Sequence, residues 1–162
     1  MQHILVALME DKPGVLNRIA SLFRRRDFNI ESLAVGHSET PGISRMTIVI
    51  KGDDPTINQM VKQLNKLINV IKVIDVTGDA TVIRELALAK VSADSRSRPE
   101  VLELVDIFRA QVVDVAPDSL TIQITGDEEK VNGFMALLEP YGIKEMVRTG
   151  QVAMLRGSNS AK

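Results

Sequence analysis

The chain has 162 residues, 44% apolar and 25% charged, with 20 basic against 21 acidic side chains, no cysteine, four Phe and one Tyr. That length holds one ordinary domain or two small ones. The near-cancellation of charge excludes a general nucleic-acid binder, which needs a positive face against phosphate, and the missing cysteines exclude disulfides, thiolate nucleophiles and zinc–sulfur sites.

The core must be aliphatic, since aromatic residues are so few. The opening apolar stretch Ile4 to Met9 runs at once into Glu10, Asp11 and Lys12, which is not a signal-peptide layout. No run approaches the ~20 apolar residues of a membrane span. A cytoplasmic protein is expected.

Residues 3 to 9 are apolar on both faces, as in a central strand covered on each side. Val15, Leu16, Ile19, Leu22 and Phe23 then fall on one helical stripe, with Pro13 suited to the first turn. Arg24, Arg25 and Arg26 close that helix, where cations complement the dipole. A strand from Asn29 to Gly36 and a turn at Pro41-Gly42 follow, then a strand from Arg45 to Ile50. Gly52-Asp53-Asp54-Pro55 signals a helix start, and Ile57, Val61, Leu64 and Ile68 supply its buried stripe. Val70 to Val76 makes the fourth strand, completing β-α-β-β-α-β, the ferredoxin-like unit.

The second half repeats that order. Pro13-x-Val15-Leu16-x-x-Ile19 recurs as Pro99-x-Val101-Leu102-x-x-Val105. Thr47-Ile48-x-Ile50-x-Gly52-Asp53 recurs as Thr121-Ile122-x-Ile124-x-Gly126-Asp127. The sequence therefore predicts an α+β protein of two ferredoxin-like domains, residues 1–78 and 79–157, with a frayed tail over 158–162. The polar stretch Ser92 to Pro99 reads as a mobile loop. Strands apolar on both faces, with helices for only one, call for a partner on the other face or an edge.

A catalytic constellation is hard to assemble. His37-Ser38-Glu39 resembles a triad only as letters, because consecutive loop residues point in different directions. Asp53-Asp54 and Glu128-Glu129 each open a helix, where carboxylates cap free N–H groups. No phosphate-cradling glycine loop occurs. The informative motif is Glu10-Asp11-Lys12-Pro13-Gly14-Val15-Leu16, a strand-to-helix turn whose glycine would let a carboxylate approach exposed N–H groups. Asp11 could cap the helix or receive an ammonium group, while Val15, Leu16, Ile30 and Val35 could line an aliphatic pocket. At the matching turn of the second half, glutamate stands where the first has glycine, which favours ligand binding over packing as the reason for Gly14.

The runs ILVALMEDKPGVLNRIASLF, FNIESLAV and SRMTIVI resemble the ACT domain of the acetolactate (acetohydroxyacid) synthase small subunit. The likeness continues through QLNKLINVIKV, RELALAKV and FRAQVVDV, covering roughly residues 1 to 157. It implies a non-catalytic subunit that binds and activates a large catalytic subunit and confers feedback inhibition by valine or a related branched-chain amino acid. Thiamine diphosphate, Mg2+ and FAD would belong to that partner, and this chain would carry no cofactor or metal. It further implies a homodimer through paired ACT domains, ligand at their interface, and no nucleic-acid or membrane partner. Carried residue by residue, the helix-end side of the site would be Asp11, Gly14, Val15 and Leu16. Asn29 and Ile30 would enter from the neighbouring strand, with Val35 and Gly36 near the pocket wall.

Overall fold

The alternating periodicities resolve into two sheets, each with helices on one face, in the structure, a computed structural model that describes residues 1–161. The first sheet holds β1 (Gln2–Glu10), β2 (Ile30–His37), β3 (Ile43–Lys51) and β4 (Val70–Asp75) in the order β2-β3-β1-β4, all antiparallel neighbours. Helices α1 (Val15–Arg25) and α2 (Asp54–Asn65) complete the first ferredoxin-like unit. The second repeats the pattern with β5 (Thr81–Ser92), α3 (Arg98–Ile107), β6 (Gln111–Val115), β7 (Ser119–Gly126), α4 (Glu128–Leu138) and β8 (Ile143–Arg148), in sheet order β6-β7-β5-β8. A last strand, β9 (Val152–Leu155), pairs with β5.

Each unit has its own core. In the first, Leu5, Ala7, Met46, Ile48 and Ile50 meet Val15, Ile19, Phe23, Ile57 and Leu64 from the helices. In the second, Ala87, Ala89, Ile122 and Ile124 meet Val101, Val105, Phe134 and Leu138. Both acidic stretches open helices, but the capping carboxylates are Asp53 and Asp127, with Glu128 and Glu129 in the first turn of α4. Asp53 Oδ1 accepts from the Thr56 amide at 3.0 Å and Asp127 Oδ1 from the Lys130 amide at 2.9 Å, satisfying N–H groups that a helix start leaves open.

Four expectations need correction. Leu16 is 45% exposed although it lies on the helical stripe, because at ~100° from Val15 it sits at the rim of the buried arc. Ile68 is 75% exposed, since α2 ends at Asn65, and Met60 fills the stripe instead. Residues 94–97 form a pinned turn, not a mobile loop: Asp94 Oδ1 accepts from the amides of Arg96 and Ser97, both at 2.9 Å. The Arg98 guanidinium then donates to the carbonyls of Ala93, Ala116 and Pro117.

The fourth concerns the chain end. By compactness the described residues 79–83 and 151–161 group with residues 1–78, and residues 84–150 form the other unit. The reason is apolar cover. Ile4, Val6 and Val49 project from the first sheet away from its helices, and Ala153 and Ala161 pack against them with Ile83 and Leu155 at the margin. Side-chain hydrogen bonds from the first sheet help fasten this strap: the Gln151 amide donates to Ser32 Oγ, and the Arg45 guanidinium to the Ala153 carbonyl, each at 2.8 Å. The second face of the first sheet is thus closed by the chain itself. What stays unpaired there are the edge strands β2 and β4.

Candidate functional site

The turn from β1 into α1 is built around Gly14. It is the residue before the helix, at φ 86° and ψ −12°, a left-handed conformation that L side chains rarely adopt. No side chain caps α1, and the amides of Leu16 and Asn17 meet no acceptor among the described residues. A Cβ at Gly14 would have nothing within 4 Å. The helix therefore presents bare N–H groups and a partial positive charge to open space.

The corresponding turn of the second unit is different. There α3 begins at Arg98, Ser97 precedes it at φ −85°, and Asp94 takes up the amides. Glu100 consequently lies inside α3, where a side chain is unstrained. The two turns are not conformational equivalents, so the missing glycine in the second has a backbone explanation. The left-handed φ by itself requires glycine at position 14, and the repeat does not separate the two reasons for it.

Polar groups around the turn are sorted. Glu10 is engaged by Lys12 Nζ at 3.1 Å and by the Asn69 side-chain amide at 2.5 Å, and these contacts hold its carboxyl below the usual range. Arg18 donates to Asn69 Oδ1 at 2.8 Å. Asp11 stands apart from that network. Its amide donates to the Gly42 carbonyl at 2.8 Å, and its Oδ2 lies 3.4 Å from His37 Nδ1, with both side chains solvent-exposed. Ser38, the neighbour of His37, donates to the Ile43 carbonyl at 2.7 Å. Register could have placed His37 here. His37 pairs with Ser44 and Glu10 with Ile43, so the ends of β1 and β2 flank the start of β3.

The other residues of the expected site divide into two groups. Leu16 is exposed in the first turn of α1, and Val35 is 48% exposed on the helix face beside Met46, level with Ala7 of β1. Val15 is only 2% exposed and packs in the core, so it supports the turn from beneath. Gly36 pairs with Arg45, and a Cβ there would also meet nothing within 4 Å. Asn29 and Ile30 lie elsewhere. Ile30 pairs with Ile50, which faces His3 at the far end of β1. Six strand residues separate Ile30 from Gly36, about 20 Å of rise. Within one chain these two residues do not reach the turn.

Among the described residues no cluster of His, Asp or Glu has the arrangement of a metal site, and no helix is long and apolar enough to cross a membrane.

Residues 5–72 match a family of domains described as AHAS small subunit-like ACT domain, and residues 84–157 one described as small subunit of acetolactate synthase. A probable acetolactate synthase small subunit of Methanothermobacter thermautotrophicus is 57% identical over 159 residues, spanning 98% of this chain and 95% of the relative. Its counterpart in Archaeoglobus fulgidus is 56% identical over 98% of this chain and 99% of its own length. The crystal structure of the acetolactate synthase small subunit from Thermotoga maritima superposes with a TM-score of 0.91, at 45% identity, over 98% of this chain and 99% of that one. The chain belongs to the acetolactate synthase small-subunit family, with an amino-terminal ACT domain.

Proposed function

We propose that this chain is the non-catalytic regulatory subunit that binds and activates the large, thiamine-diphosphate-dependent subunit of acetolactate synthase. In the cytoplasm it would make the enzyme, and so branched-chain amino acid synthesis, subject to feedback inhibition by valine. The observation that carries the reading is the uncapped α1 tip at Gly14, with open space where a side chain would stand, and exposed Leu16 and Val35 supply aliphatic surface on the helix side of the same domain. Bare amides suit an amino acid's carboxylate, and the two aliphatic side chains suit its isopropyl group. Asp11 would receive the ammonium.

The separation of Asn29 and Ile30 from that tip fits a site shared between two copies. Strand β2 is an edge, with Leu33 37% and Val35 48% exposed on the helix face, and such an edge invites a second strand. If two β2 strands pair antiparallel about a twofold near Leu33, the start of one meets the end of the other. Asn29 and Ile30 of the partner subunit then stand beside Val35 and Gly36, closing the pocket that one chain leaves open. Valine binding favours one arrangement of the dimer, and the large subunit responds to which arrangement is populated. Coupling of this kind is commonly ~1–3 kcal/mol.

Calorimetric titration of the chain with valine, leucine and isoleucine, followed by reconstitution with the large subunit, tests the reading. Heat with valine and valine-sensitive activation are expected. No heat with any of the three, together with unmoved backbone resonances around Gly14, would overturn it.

A further inference from the structure

The second sheet has a face that the chain does not close. On the side away from α3 and α4, β5 presents Leu86, Leu88 and Lys90, and β8 presents Val147 opposite Leu88 and Glu145 opposite Lys90. Val147 is 59% exposed, and a shallow hollow of about 210 Å3 at the β8 side of the sheet is lined by Leu88, Lys90, Thr121, Glu145, Met146 and Val147. The equivalent face of the first unit is closed by Ile83, Ala153, Leu155 and Ala161. No described residue does the same for Val147.

The charges identify what would cover it. Lys90 and Glu145 are cross-strand neighbours beside Leu88 and Val147, and neither forms an ion pair among the described residues. An unlike partner would be best met by a face of one sign. A face carrying one positive and one negative charge side by side is its own complement under a twofold rotation. We infer that a second copy of this chain packs on this face, sheet against sheet, with Lys90 over Glu145 of the partner subunit and the reverse pair formed by symmetry. Leu88 and Val147 fill the space between the sheets, which lie ~10 Å apart in such packings. An interface of this kind is isologous, so both charge pairs form together or not at all. The inference is independent of the valine site and of the β2 edge.

The absence of cysteine makes the test clean. Full-length chain carrying Val147→Cys is treated with a short bismaleimide, alone and with the large subunit, and Leu137→Cys on the exposed side of α4 serves as the control. Self-cross-linking of Val147→Cys but not Leu137→Cys is expected. Adding Lys90→Glu or Glu145→Lys places like charges in contact, which costs several kcal/mol at an interface, and should cut the cross-linked fraction at least ~10-fold. Combining Lys90→Glu with Glu145→Lys restores the complement and should return the fraction to within ~2-fold of the starting level. Circular dichroism confirms that each variant folds. Failure of Val147→Cys to cross-link to itself overturns the inference, as do cross-linking only to the large subunit and a double swap no better than the singles.

Discussion

Gly14 carries two physical demands, and a three-variant series separates them. Its φ of 86° puts any L residue in the left-handed region, at a cost of roughly 1–2 kcal/mol, with Asn and Asp the best tolerated. Because a Cβ there meets nothing within 4 Å, no clash adds to that cost. Gly14→Ala should therefore lose ~1–2 kcal/mol of stability, and Gly14→Asn and Gly14→Asp nearer ~1. Urea unfolding reads this as a lower midpoint with an unchanged slope. Charge separates the last two. A carboxylate at position 14 would sit within about 4 Å of a ligand carboxylate bound at the helix tip. Repulsion at that distance lies between ~1 kcal/mol in water and ~4 kcal/mol near a protein surface. The middle of that range corresponds to an affinity loss on the order of 100-fold. Valine inhibition of the reconstituted synthase should be abolished by Gly14→Asp and only weakened by Gly14→Asn, while activation of the large subunit persists in both. Full valine sensitivity in Gly14→Asp at an unfolding midpoint equal to that of Gly14→Asn would refute the placement of the site. An unmoved midpoint in Gly14→Ala would refute the left-handed turn.

Two further outcomes follow from packing and ionisation. At Gly52 a Cβ would lie 2.9 Å from Ile57 Cδ1 and 3.2 Å from Phe28 Cε1. Since Ile57 is fully buried, Gly52→Ala should overpack the first core by ~1–3 kcal/mol, read in a urea titration. Burial would raise the Asp75 pKa, but hydrogen bonds from the Thr77 hydroxyl and amide and from His3 outweigh it and hold the carboxyl below its usual range. An acid depressed on folding adds stability that is complete above about pH 4 and is lost as pH falls through the folded value. Asp75→Asn should flatten the acid limb of the stability profile; an unchanged limb would show that the His3 and Thr77 contacts contribute nothing.

Most of the fold was legible because its elements announce themselves locally. The run of residues 3–9, apolar on both faces, is enough to place β1, and Gly52-Asp53-Asp54-Pro55 marks the start of α2 through a chemistry that needs only three residues, whereas the cap of α4 is Asp127, one residue before the Glu128-Glu129 pair that the sequence points to. What escaped was non-local. The strap at residues 151–161 buries Ala153 and Ala161, small residues in a short segment whose apolar character is weak until the sheet face they cover is known. A two-faced apolar strand says that a cover exists, not whether it comes from the same chain. Here the first sheet supplies its own, and the second does not.

The candidate site shows the same division more sharply. Its residues were found as two linear motifs, one around Gly14 and one around Ile30, and nothing in their spacing says that they sit at opposite ends of the sheet. Strand direction decides it. β1 and β2 both run antiparallel to β3, so the start of β2 lies level with His3 and its end level with Met9. Any pocket that uses both motifs must borrow one of them from another copy, and antiparallel pairing of two β2 edges is the arrangement that supplies it. On the proposed reading, oligomerisation would be a condition for ligand binding and not an addition to it. The chain at concentrations low enough to separate the copies should lose its affinity for valine, because each half-site keeps the amides and loses the opposite wall.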